Sequence, residues 1–190
     1  MNSPLSKKVL ARCRRDEFVG RTGELGMLVS HADSSGGVLL LAAPRTGMTE
    51  LLLQAYDEIF ATGPAAPIYY AFVRDASIVD AARGFARALL TQLVAARRGD
   101  GLIVQTSPSH AELERLALPQ DDELVEQIAG VIAADAGSDP DAYARACFSL
   151  PLRLAARGLR AVILLDDVHH APAGFGAEEI AAVLSRCDLP

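Results

Sequence analysis

The sequence predicts an α/β fold, a parallel sheet with helices packed on its faces. Three observations predict it. Apolar or β-branched runs at 38–42, 67–73 and 161–165 alternate with stretches of helical periodicity. Turn residues such as Gly36, Gly37, Pro64 and Gly158 stand before these runs. The first run leads into a loop with a proline and a glycine, and the last ends in Asp166 and Asp167, so polar groups sit at strand exits.

Residues 1–17 are mixed and basic and predict a short helix. Residues 18–31 carry Glu24, Leu25, Met27, Leu28 and Val29, a short helical pattern, and 33–37 is a turn cluster. The continuous apolar run 38–42 reads as a buried strand, and 43–47 as a loop. A helix follows over 49–60, with Leu52, Leu53, Tyr56, Ile59 and Phe60 at helical spacing; Gly63 and Pro64 end it. Aromatic and branched residues make 67–73 a strand, in which Tyr69 and Tyr70 face opposite ways and one belongs to the core. Asp75 is the candidate cap of a helix reaching about residue 98, with Ile78, Ala82, Phe85, Leu89 and Leu93 on one face. Residues 102–120 read as a loop with a short helix around 111–116. Two helices then cover 121–134 and 140–156, the second with a kink at Pro151. The third strand spans 161–165, and one more helix spans 177–186.

The 190 residues suit one domain, and 51% are apolar, enough to bury a sizeable core. We divide them into a basic N-terminal segment, 1–15, and a core, 16–190. A net charge of −6 makes the whole molecule a poor electrostatic match for nucleic acid. Only the segment with Lys7, Lys8, Arg12, Arg14 and Arg15 offers contact to phosphate or acidic lipid, and a solvated helix face is the preferred reading of it. Cys13, Cys147 and Cys187 are odd in number and widely spaced, which suits free thiols in a reducing cytosol. The N-terminus lacks the pattern of a secretory signal, and no apolar run approaches the ~20 residues a membrane helix needs. The expected setting is cytoplasmic, with no membrane partner.

Three motifs carry chemistry. The first is the loop Ala42, Ala43, Pro44, Arg45, Thr46, Gly47, Met48, Thr49, between a strand and a helix. It parallels the phosphate-binding pattern G-x-x-x-x-G-K-[ST] but has Ala42 for the first glycine and Met48 for the lysine. Loop amides and a helix N-terminus still suit an anion. Thr49 still offers a hydroxyl to magnesium, whereas Met48 supplies no charge. Losing a charge-assisted contact costs about 1.5–3 kcal/mol in binding. Arg45 is a candidate substitute, with a longer and planar head group. A plain strand–turn–helix is the competing reading. The second motif is the pair Asp166 and Asp167 at the end of an apolar strand. Carboxylates there need water, partners or metal, or else cap a helix. The third, Phe18, Val19, Gly20 and Arg21 before Glu24 and Leu25, suits an apolar wall with a nearby cation, or a hydrophobic staple. His169 and His170 are adjacent and point apart, a poor metal pair; His31 and His110 stand alone, as surface or loop residues.

In this order FVGRTGEL, APRTGMT and VILLDDVHHA resemble the P-loop ATPases of the AAA+ and STAND groups. The match is to the ATPase domain of origin-recognition-like proteins and of large LuxR-type, MalT-like regulators. The resemblance covers about residues 16–175 and implies a P-loop NTPase-like sheet, ATP and Mg²⁺ as cofactors, and nucleotide-driven oligomerisation or signalling. By matched position, Phe18, Val19, Gly20 and Arg21 lie on the adenine side, and Pro44, Arg45, Thr46, Gly47, Met48 and Thr49 form the phosphate loop. Thr49 and Asp166 hold magnesium, and Asp167 serves catalysis. His170, Ala171 and Pro172 depart from the aromatic, alanine and acid usual after the acidic pair. The family also places a further strand between the phosphate-loop strand and the acidic-pair strand, followed by a helical lid. No clear fourth strand follows Asp167, so we expect an incomplete sheet lacking C-terminal strands and lid: a fragment, a shrunken relative, or a chain completed by a protein partner or second copy. Three functional readings stay open: a degenerate ATPase domain acting in nucleotide sensing or as scaffold, an active ATPase, and an interaction module that keeps only the fold.

Overall fold

The structure, a computed structural model, describes residues 8–32, 34, 37–43, 45–137 and 139–172. In chain order these form α1 (Thr22–His31), α2 (Met48–Thr62), β1 (Ala66–Ala71), α3 (Ile78–Arg98), α4 (Leu102–Thr106), α5 (His110–Leu116), α6 (Asp122–Ala133), α7 (Pro140–Phe148), α8 (Leu150–Ala156) and β2 (Ala161–Asp166). The fold is mixed α/β, mostly helical, around a two-stranded parallel sheet. The strands run in register from Ala66 beside Ala161 to Ala71 beside Asp166.

Side chains alternate across a strand, and here they divide two cores. Ile68, Tyr70, Phe72, Ile163 and Leu165 face the larger one, built on Phe85, Leu89 and Leu93 of α3 with α6, α7 and α8. Tyr69, Val162 and Leu164 face the smaller one, with Leu25 and Leu28 of α1 and Leu51, Leu52 and Tyr56 of α2. Tyr69 and Tyr70 thus serve opposite layers, each half-buried.

Among the described residues no third strand lies on the outer edge of β1, and part of that edge is satisfied by other means. Pro67 has no N–H to leave unpaired. The Tyr69 N–H donates to Oε1 of Gln92 at 2.7 Å, and Nε2 of Gln92 donates to the Tyr69 carbonyl at 2.9 Å. Gln92 belongs to α3 and is only 5% exposed, so its amide acts as a one-residue strand.

Several expected elements differ. Residues 38–42 form no strand: Leu40 packs against the smaller core, while Leu39 and Leu41 are 81% and 85% exposed. An apolar run becomes a strand only where a neighbour takes its backbone hydrogen bonds. No described residue supplies a strand between this run and β2. The basic segment is not helical over 8–17, because α2 side chains take its backbone N–H groups, as detailed below. The cap of α3 is Ser77, not Asp75: Ser77 is extended (φ −66°, ψ 158°), and its hydroxyl accepts from the Asp80 N–H at 3.1 Å. The helix expected over 140–156 is two, α7 and α8, meeting at Ser149. Pro151 sits in the first turn of α8, where its missing N–H leaves no helical bond unmade. The short helix near 111 begins at His110, with a reciprocal Ser109–Glu112 capping box. The helix expected over 177–186, and residues 33, 35 and 36 of the turn cluster, lie outside the described residues. Among the described residues no helix is long and apolar enough to cross a membrane.

Candidate functional site

Element lengths and a shared core relate the loop before α2 to the sheet end that carries the acidic pair. Helix α2 leads through Gly63 directly into β1. A Cβ on Gly63 would lie 2.7 Å from the Ile59 carbonyl, so glycine makes this tight exit. The 15 residues of α2 span about 22 Å, and the six of β1 about 20 Å. The first turn of α2 therefore returns to the carboxyl end of β1, and so to the end of its parallel partner β2, where Asp166 stands. Consistent with this, Met48, Leu51, Tyr69 and Leu164 share the smaller core.

The loop itself is strained towards left-handed backbone, at φ 64° for Arg45 and φ 79° for Gly47. Only glycine adopts this freely. The Thr46 hydroxyl donates to the Ala43 carbonyl at 2.8 Å, tightening the turn. Gly47 is the N-cap of α2, and no side chain caps that end. First-turn amides of a helix lack intrahelical partners, so they stay open to an anion. Met48 is half-buried and packs against the smaller core; Thr49 follows in the first turn. Pro44 lies outside the described residues. Phe18 packs against the same core, Val19 is 85% exposed, Gly20 has φ 90°, and Arg21 is the N-cap of α1.

Asp166 is 8% exposed, and each of its carboxylate oxygens accepts one hydrogen bond. The Tyr69 hydroxyl donates to its Oδ2 at 3.0 Å, and the Asp167 N–H to its Oδ1 at 2.9 Å. Burial, then the charge of Asp166 and this hydrogen bond, hold the Tyr69 phenol protonated well above the usual tyrosine range; the Arg12 charge acts weakly the other way. Asp167 is exposed, in left-handed backbone at φ 52°, and its carbonyl accepts from the His170 N–H at 2.8 Å. The rings of His169 and His170 lie 3.9 Å apart, and no group of three metal-ligating side chains occurs among the described residues.

Sequence reasoning missed two arrangements. One is the Tyr69–Asp166 bond, between residues 97 positions apart, for which no local signal exists. The other is a ladder of Glu50, Gln54 and Asp57 along one face of α2 that grips the basic segment. Asp57 accepts from the N–H groups of Val9, Leu10 and Ala11 at 2.8–3.2 Å. Glu50 accepts from those of Arg12 and Cys13 at 3.2 Å, and from the Cys13 thiol at 3.1 Å. Gln54 donates to the Cys13 carbonyl at 3.0 Å. Polar residues at 50, 54 and 57 share a helical face, which is the signal that was there to find. The ladder sets residues 12 and 13 beside the first turn of α2. Hydrogen bonding to Glu50, with burial, raises the Cys13 thiol, and burial raises that of Cys147, so both free thiols stay protonated at neutral pH. Two lone histidines differ in setting: His31 is exposed at the end of α1, while His110 is half-buried, its Nε2 without a partner among the described residues.

A separate open cavity of about 390 Å³, lined by Val131, Asp135, Asp139 and Tyr143, lies on the larger core's side, away from these groups. No protein-family model, curated protein or solved structure matches the chain.

Proposed function

We propose that the chain is a degenerate ATPase-like module of AAA+/STAND type, which binds ATP·Mg²⁺ weakly, hydrolyses it poorly or not at all, and serves in nucleotide sensing or as a regulatory scaffold. What supports this is the uncapped N-terminus of α2, which the lengths of α2 and β1 and their shared core direct towards the sheet end where Asp166 stands. Open amides suit the phosphates. The Thr49 hydroxyl and the Asp166 carboxylate are hard oxygen donors, which suit magnesium. Bound there, the ion would offset phosphate charge. Two features explain the weakness. Met48 gives its side chain to the core instead of the phosphates, and both Asp166 oxygens already hold donors. Asp167, exposed beside Asp166, is the residue we assign to orient water. Function then rests on binding and on a protein partner or second copy.

A titration of ATP·Mg²⁺ tests the reading. The wild-type chain should bind in the high-micromolar to millimolar range, and Met48→Lys should bind at least about tenfold tighter, the effect of one restored charge-assisted contact. If both proteins fold and neither binds at millimolar nucleotide, the reading is wrong. The interaction-module reading then takes its place, favoured by the exposed Leu39 and Leu41.

A further inference from the structure

We propose that Tyr69 is a latch on Asp166, a positioning residue whose phenol holds the carboxylate and must turn away before magnesium can reach it. The inference rests on the reading of this site as a nucleotide site. Its geometry is independent of that reading. Tyr69 and Asp166 lie on the same face of the sheet, the phenol of one strand reaching forward to the last residue of the next. The hydroxyl donates to Oδ2 across an oxygen–oxygen distance of 3.0 Å, while the neighbouring amide holds Oδ1. Magnesium needs near-octahedral oxygen ligands at about 2.1 Å and keeps several waters. At a carboxylate only 8% exposed, a phenol donating to Oδ2 takes one of the directions by which that shell could approach and turns the positive end of its dipole towards it. The backbone of Tyr69 cannot retreat, because Gln92 clamps both its N–H and its carbonyl. Only rotation of the side chain opens the site. The latch thus separates two events: phosphate meets the loop amides with Tyr69 closed, and the metal enters only with Tyr69 open.

The test measures ATP affinity with magnesium and with a chelator, on Met48→Lys and on Met48→Lys/Tyr69→Phe. The ratio of the two affinities reports metal coupling. Phenylalanine keeps the ring and loses the donor, so metal-free affinity should stay constant while the ratio rises about tenfold or more, as for a lost charge-assisted hydrogen bond. Adding Asp166→Asn should cancel that gain. A purely structural role for Tyr69 would shift the melting temperature and leave the ratio unmoved. If Met48→Lys binds ATP and Tyr69→Phe leaves its ratio unchanged, the latch is refuted while the nucleotide site stands. If a folded Met48→Lys binds no ATP at all, the site and the latch fall together.

Discussion

Glu50 and Asp57 hold the N-terminal segment by opposite acid–base logic. Burial alone would raise the Glu50 carboxyl, but hydrogen bonds from Gln54, the Cys13 thiol and the amides of Cys13 and Arg12 outweigh it and hold the group below its ordinary 4.5. A carboxyl lowered on folding contributes stability above its unfolded value, and that contribution is lost as pH falls through the folded one. Asp57 runs the other way. Burial outweighs its three amide donors and raises it, so its contribution is full below the unfolded value and declines as pH rises through the raised one. The Glu50 half of the ladder should therefore release in acid. Amide-exchange protection of Arg12 and Cys13 should fall as the pH drops below 4.5, and Glu50→Gln should remove that acid dependence. Protection that is constant across this range would contradict the assignment.

At the scale of elements, the Gln92 amide decides whether β1 is a stable edge. Removing it leaves the Tyr69 N–H and carbonyl without partners. An unsatisfied buried group costs about 1–3 kcal/mol. Gln92→Ala should lower stability in that range by chemical denaturation and speed exchange of the Tyr69 amide. An unchanged midpoint would mean that water replaces the side chain. The same reasoning explains why six residues suffice for each strand. β2 covers one edge of β1, and on the other Gln92 pairs Tyr69 while Pro67 has no N–H to pair.

The whole molecule is a thin sheet between unequal cores. The larger is closed by α3, α6, α7 and α8, the smaller by α1 and α2. The exposed run 38–42 belongs to neither, apart from Leu40. Leu39→Ser and Leu41→Ser should change stability by no more than about 0.5 kcal/mol, as surface substitutions do. A buried leucine cut to a small residue loses about 2–5 kcal/mol. A loss of that size in thermal or denaturant unfolding would show the run packed as a strand in the folded protein. Among the described residues the second edge of β2 has no strand beside it, so strand pairing there is available to another chain.

Sequence alone determined the periodic elements. Long amphipathic stretches such as Ile78–Arg98, and the strands expected at 67–73 and 161–165 and observed at 66–71 and 161–166, announce themselves because their patterns are local and repeat every few residues. It also marked Gly47, Thr49 and Asp166 as candidates for chemistry, since strand exits and loops carry their own signals. It mistook residues 38–42 for a strand, because apolar content says that a segment prefers burial and not whether a neighbour exists to bury it. Only the tertiary structure paired Tyr69 with Asp166, laid the basic segment along α2, and set Met48 against the smaller core. Those outcomes depend on contacts between distant positions, which no local pattern encodes.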